Sequence, residues 1–146
     1  MFYKACVVGA VAGMTLSFGL STAATAQQAN MTFFVTSAGK GDGANLGGLD
    51  GADAHCTSLA KAVGATATNW KAYLSTTAPQ GEAGINARDR IGKGPWQNAK
   101  GVVVAASVAD LHGETNKLTK DAAISEKGEV ISGRGDPVNL PDSEAL

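Results

Sequence analysis

The sequence has 146 residues, with 12 basic and 13 acidic side chains and a formal net charge of −1. A chain so close to neutrality, with no basic cluster, lacks the electrostatic footprint of a nucleic-acid-binding protein. It contains 19 glycines, and aromatic residues make up only 5% of it, which predicts one small, loop-rich domain. Such a domain buries only about two-thirds of its surface on folding, so its stability is marginal without cross-links.

The N-terminus has the pattern of an export signal. The stretch MFYK precedes an apolar run of 16 residues, ACVVGAVAGMTLSFGL, and small residues follow at Ala24 and Ala26. This pattern predicts a signal peptide over residues 1–26 with cleavage before Gln27. The alternative is an uncleaved anchor, but the run is interrupted by glycines and is shorter than the ~20 apolar residues of a membrane span. We therefore expect an exported protein, periplasmic or extracellular, with no membrane span after cleavage.

The export signal determines what is expected of the two cysteines. Exported domains often gain stability from disulfides. Cys6 lies inside the predicted signal peptide and would leave with it. Cys56 is therefore expected to remain in the mature chain without a partner, as a buried free thiol.

The first half of the mature chain predicts a strand, a loop and a helix. TFFVTS, residues 32–37, is rich in β-branched and aromatic residues and predicts a strand. A glycine-rich loop follows over residues 38–48. The helix is predicted over residues 50–63, with Asp50 as its N-cap and Gly64 at the C′ position.

The predicted helix has one apolar face. This face is about 100° wide at 3.6 residues per turn and consists of Ala52, Cys56, Leu59, Ala60 and Val63. Cys56 lies near its centre, so its side chain is expected to be buried. Asp53 falls outside the face and suits the first turn of the helix.

The second half predicts shorter elements. NWKAYLST, residues 69–76, alternates apolar and polar side chains and predicts a half-buried strand with Trp70 on its inner face. The elements expected after it are a turn or helical piece within 85–96, a strand at 101–106, a helical turn at 107–113 capped by Ser107, and a weak strand at 129–132. The tail, residues 133–146, has two prolines and no periodic pattern, so it is predicted to be disordered.

The sequence motifs assign no catalytic, cofactor-binding or metal-binding residue. The glycine-rich loop lacks the spacing of a phosphate-binding loop. The oxygen donors near it, Asp42, Asn45, Asp50 and Asp53, do not follow the order of a calcium-binding loop. His55 and Cys56 are neighbours on a helix, so their side chains diverge by about 100° and do not form a dyad. We therefore expect a non-enzymatic protein.

The remaining charged and aromatic motifs have simple structural interpretations. Arg88, Asp89 and Arg90 alternate in charge, which favours a solvated turn with local ion pairs over a ligand-facing role. Trp70 and Trp96 are expected to be core or loop anchors, although an exposed tryptophan can also stack on a sugar. The RGD tripeptide lies in the tail and is treated as chance.

One segment resembles a known family. GGLDGADAHCTSLAKAVGATATNWKAYLST resembles the start of the endostatin-like module, a variant of the C-type lectin-like fold. The shared features are Gly-x-x-Gly-Ala-Asp-x-x-Cys, a helix ending in Ala-Val-Gly, and a strand of aromatic, basic, Ala, aromatic, Leu and Ser. INARDRIGKGPW resembles the next stretch of that module. The chain also resembles small exported bacterial proteins of this type, over about residues 32–106.

The resemblance implies an α+β fold that is incomplete in this chain. In such modules the cysteine of the first helix is bonded to one in the last strand, and a second disulfide lies in the C-terminal half near a Cys-x-x-Trp segment. This chain has neither those cysteines nor that segment. The family's zinc histidines, heparin-binding arginines and calcium–sugar motifs are also missing, so the resemblance transfers no binding residue.

These observations predict a partial endostatin or C-type lectin-like domain over residues 27–132, with a loop-rich second half. Its expected role is that of an exported binding module whose partner is a carbohydrate or a cell-surface protein. The alternative is a truncated or frameshifted fragment of such a module, with no binding activity of its own. Shared fold alone is a weak guide to function, so the ligand stays open at this point.

Overall fold

The computed structural model describes residues 5–8, 28–43, 45–77 and 83–132. In these residues the chain forms a small mixed α/β domain with three helices and two antiparallel sheets. The elements, in chain order, are β1 (Ala5–Val8), β2 (Phe33–Val35), α1 (Gly48–Ala62), β3 (Trp70–Ala72), α2 (Ala87–Arg90), β4 (Trp96–Gln97), β5 (Val103–Ala105) and α3 (Val108–Leu111). The general α+β class is the one predicted. The predicted cleavage site and the predicted disordered tail lie outside the described residues.

The first sheet has the order β2-β1-β3, so its middle strand comes from the N-terminus. β1 is antiparallel to both neighbours, and Cys6 lies opposite Phe34 on one side and Ala72 on the other. Residues 5–8 belong to the predicted signal peptide, yet here they are part of the packed domain. Cleavage before Gln27 stays a prediction, and a cleaved chain would lack this middle strand.

Cys56 has a partner in the described chain, so the expectation of a free thiol is wrong for it. Its sulfur is bonded to that of Cys6, 50 residues earlier, and no free cysteine is present in the described residues. The expectation failed because it removed Cys6 together with the signal peptide. In the structure, the strand that carries Cys6 lies beside the helix that carries Cys56.

The core lies on both faces of the first sheet. On one face Cys6 and Val8 pack with α1 and with Phe34 and Trp70, whose rings meet edge to face with centroids 4.9 Å apart. On the other face Val7 packs in a second cluster, whose remaining buried members are Phe33, Val35, Ile91, Trp96, Val104, Ala105 and Ala122. A strand buried on both faces requires a continuous apolar sequence, which Ala-Cys-Val-Val supplies.

Helix α1 begins two residues before its predicted start. Gly47, with φ of 77°, precedes it as the N-cap, and Asp50 lies in the first turn instead of capping the helix. Gly64 follows the helix with φ of 77°, and its N–H donates to the carbonyl of Lys61 at 3.1 Å. This left-handed ending is the one expected of a C′ glycine.

The second sheet is a hairpin of β4 and β5, in which Trp96 lies opposite Ala105. The Asn98 side chain fixes the turn, because its Oδ1 accepts from the N–H groups of Lys100 and Val102 at 2.9 and 3.0 Å. The strand expected at 129–132 is reduced to a single bridge between Ile124 and Val130.

Candidate functional site

Among the buried and half-buried polar side chains of the described residues, two groups are candidate sites: the Asp53 cluster and the Tyr73–His112 cleft. We define the Asp53 cluster as Asp53, Lys71 and Arg90. It joins α1, β3 and α2. The Tyr73–His112 cleft is the cavity beside β1 onto which those two side chains face. The first group is a set of hydrogen-bonded charges, and the second encloses a mostly apolar cavity.

The carboxylate of Asp53 accepts three hydrogen bonds from within the protein. Its Oδ1 accepts from the N–H of Ala72 at 2.8 Å, and its Oδ2 accepts from Lys71 Nζ at 2.9 Å and Arg90 Nη2 at 2.7 Å. Arg90 Nη1 also donates to the carbonyl of Ala72 at 2.7 Å. The cluster is therefore a structural brace in which both carboxylate oxygens bond to the protein itself.

Two expectations from the sequence are corrected by this cluster. Asp53 was expected outside the buried face of the helix, but it is buried because two cations and a backbone N–H compensate its charge. Arg90 was expected in a solvated turn, but its side chain is only 13% exposed. Arg88 and Asp89 remain on the surface, as a solvated turn requires.

Burial raises the pKa of Asp53. The hydrogen bonds from Ala72, Lys71 and Arg90 and the charge of Arg90 outweigh that effect and hold the pKa below its ordinary value of 3.8. The group is thus an ionised anchor near neutral pH, and it lacks the raised pKa of a buried general acid.

The Tyr73–His112 cleft has a volume of about 150 Å³. Its walls are mostly apolar and come from β1, β2, the residue after β3, the end of α3 and the loop beyond it. The lining residues are Ala5, Val7, Phe33, Tyr73, Leu111, His112 and Leu118.

The hydrogen bonds around His112 fix the roles of its ring nitrogens. Nδ1 lies 2.7 Å from the carbonyl oxygen of Val108, and Nε2 lies 2.6 Å from Tyr73 Oη. A carbonyl oxygen only accepts, so Nδ1 carries the proton and, in the neutral ring, Nε2 accepts from the Tyr73 hydroxyl. Both nitrogens are thus engaged within the protein, and neither is free to act on a substrate.

The four oxygen donors considered for calcium do not form one site, and His55 and Cys56 do not form a dyad. Asp42 accepts from Asn45 Nδ2 at 3.1 Å, whereas Asp53 is held in its own cluster. His55 Nε2 lies 2.9 Å from the carbonyl oxygen of Ala38, and Cys56 is in the disulfide. Within the described ranges, no group of three or more His, Cys, Asp or Glu side chains is placed to hold a metal ion.

Both tryptophans lie in the core, so neither ring is available to stack on a sugar. Trp70 is 2% exposed and Trp96 is fully buried. Trp70 Nε1 donates to the carbonyl of Ala67 at 2.9 Å, whereas Trp96 Nε1 has no hydrogen-bond partner among the described residues.

Sequence reasoning missed the Tyr73–His112 pair. The two residues are 39 positions apart, and a pair so distant leaves no periodic signal.

Comparison with known proteins identifies no relative of this chain. No protein-family model matches the chain, and neither the curated proteins nor the solved structures include a match to it. Among the described residues, the helices are all too short or too polar to cross a membrane.

Proposed function

We propose that this chain is an exported, non-enzymatic binding module of C-type lectin-like type, and that its ligand face is the Tyr73–His112 cleft. The observation that carries the proposal is the cleft itself. A cavity of about 150 Å³ matches one aromatic ring in size. Apolar walls with a few placed polar groups are the usual composition of a small-ligand site.

The lectin-like part of the proposal is supported by the order of elements. β2, then α1 with its buried cysteine, then β3 follow one another as in the resemblance drawn from the sequence. The disulfide shares with that resemblance only its helical cysteine, Cys56. The strand involved is N-terminal, however, whereas the family uses its last strand.

The chemistry of the cleft favours an apolar group of a protein partner over a carbohydrate. A sugar needs several free donors and acceptors in its site, since unpaired hydroxyl groups are costly to bury. In the cleft, the hydroxyl of Tyr73 and the imidazole of His112 are already bonded to each other. A leucine or phenylalanine side chain would require no further hydrogen bond.

The cleft depends on residues of the predicted signal peptide. Ala5 and Val7 line the cleft and belong to the predicted signal peptide. If the segment is removed, the cleft loses one wall and the first sheet loses its middle strand. The binding function therefore belongs to the chain that retains β1.

The proposal is tested by titrating the full chain with N-acetyl-leucinamide and N-acetyl-phenylalaninamide. NMR signals of the His112 ring and of the Leu111 and Leu118 methyl groups are followed. We expect saturable shifts confined to these residues. A glycan array on the same folded protein tests the carbohydrate option, and array binding without any shift from the two amides would contradict the assignment.

A cavity-filling variant provides the control for location. Ala5→Leu places a larger side chain in the cleft and should abolish the shifts. Ala109→Leu makes the same change on an exposed position of α3, outside the cleft, and should leave them intact. Loss of binding in both variants, or in neither, would mean that the ligand does not enter the cleft.

A further inference from the structure

The first sheet depends on its middle strand, β1, which is distant in sequence from its neighbour β3. β2 and β3 each pair with β1 and not with each other. Outside the paired residues, the N–H of Val8 donates to the carbonyl of Thr32 at 3.0 Å, and the N–H of Tyr73 donates to the carbonyl of Ala5 at 2.7 Å. Without β1, the inner edges of β2 and β3 would face an empty channel.

The side chains of β1 fit this channel closely. Cys6 is fully buried and Val7 is 1% exposed, and they point to opposite faces, as alternate residues of a strand do. The channel thus selects a small side chain towards α1 and a branched apolar side chain towards the cluster of Phe33 and Trp96.

Cys56 is positioned to hold whatever strand fills the channel. It lies on the buried face of α1, and its sulfur is bonded to Cys6, the second residue of β1. Pairing, burial and covalent attachment therefore act on the same four residues.

We propose that the channel between β2 and β3 is a strand-acceptor site. Its ligand is a short apolar strand with a cysteine at the second position, and Cys56 captures that strand covalently. In this chain the occupant is its own segment 5–8. The site would accept the same strand from a separate peptide whenever the chain's own strand is lost, as it is when the predicted signal peptide is cleaved before the bond between Cys6 and Cys56 has formed.

The capture is a thiol–disulfide exchange. The Cys56 thiol loses its proton, and the thiolate attacks the cysteine sulfur of an incoming strand that is itself held in a disulfide. The new bond joins Cys56 to the strand, the old S–S bond breaks, and its other sulfur leaves as a thiolate that takes up a proton. No net oxidation occurs, because the disulfide of the incoming strand is the oxidising co-reactant.

The test uses the full chain with its own strand disabled by Cys6→Ser and Val7→Asp together. The probe is the peptide FYKACVVGA, residues 2–10, supplied as its mixed disulfide with glutathione. Mass spectrometry follows the adduct at Cys56, and thermal unfolding follows the fold. We expect capture about tenfold faster than for the same peptide with Val7→Asp, since a buried aspartate is disfavoured. Only the native peptide should restore a cooperative transition.

Three results would overturn the proposal: equal capture of the two peptides, an adduct that restores no transition, or a double variant that unfolds like the wild type before any peptide is added. Adding Cys56→Ser to the double variant serves as the control and should abolish the adduct.

Discussion

At the scale of single residues, Asp53 connects three elements through one carboxylate. Lys71 and Arg90 lie 18 and 37 residues from it along the chain. Ala72, whose backbone N–H also donates to it, lies 19 residues away. Hydrogen bonds to a charged group contribute more than neutral ones, and removing one partner of a buried ion pair leaves the others uncompensated. The carboxylate is therefore the polar anchor of α1 on β3 and α2.

Asp53→Asn should lower the free energy of unfolding by about 2–4 kcal/mol, because Lys71 and Arg90 lose their counter-charge and an amide N–H₂ faces two donors. Urea unfolding of the full chain measures the change. Asp89→Asn is the matched control, the same substitution at an exposed position of α2. A similar cost in both variants would argue against the brace.

The contribution of Asp53 should depend on pH. The pKa of Asp53 is lower in the folded protein than the ordinary value of 3.8, so the folded protein binds this proton more weakly than the unfolded chain does. The stabilisation by the ionised carboxylate is therefore complete above pH 3.8, and it is lost as the pH falls through the pKa of the folded state. The difference in unfolding free energy between wild type and Asp53→Asn should thus shrink between about pH 5 and about pH 3. A constant difference over this range would contradict the lowered pKa.

At the scale of elements, the start of α1 depends on a close backbone approach. A Cβ built at Gly51 would lie 1.9 Å from the carbonyl oxygen of Leu46, whereas one at Gly39 meets nothing within 4 Å. Helix propensity alone favours alanine over glycine by about 1 kcal/mol. Here the clash opposes propensity, because it involves backbone atoms that cannot rotate away.

Gly51→Ala should therefore destabilise the protein, by about 1–3 kcal/mol as is usual for overpacking. Gly39→Ala, at a position with open space and no positive φ, should leave stability nearly unchanged. Thermal unfolding of the two variants makes the comparison. A stabilised Gly51→Ala variant would mean that the helix starts later than Gly48.

Elements with local signals were predictable from the sequence. The alternation around Trp70 located β3, and Ser107 was expected to cap the helical turn that is now α3; its Oγ accepts from the N–H of Asp110 at 3.2 Å. The role of residues 5–8 was not predictable. An export signal and a strand buried on both faces require the same run of apolar residues, so periodicity does not distinguish them.

Asp53 shows the same limit within the candidate sites. A helical wheel assigns a charged residue to solvent unless its partners are known, and Lys71 and Arg90 lie in other elements. The Tyr73–His112 pair likewise forms only when β3 and α3 are brought together. Such long-range pairs are properties of the tertiary structure.

At the scale of the whole molecule, the disulfide closes a loop of about 50 residues that includes β2 and most of α1. Closing a loop of that length is worth about 4 kcal/mol on the chain-entropy model, a large share of the stability of a small domain.

Cys56→Ser should therefore lower the free energy of unfolding by about 4 kcal/mol. Reductant should destabilise the wild type but not the variant, and equal sensitivity of both would contradict the prediction.

The central claim is that residues 5–8 complete the first sheet and are bonded to α1. Trypsin cleaves after Lys4, Lys40 and Lys61, so mass spectrometry of a non-reduced digest tests the claim directly. We predict that peptide 5–40 is linked to peptide 41–61 through Cys6 and Cys56, and that reduction separates them. Recovery of peptide 41–61 with a free thiol at Cys56, from a folded chain that begins at Gln27, would contradict it.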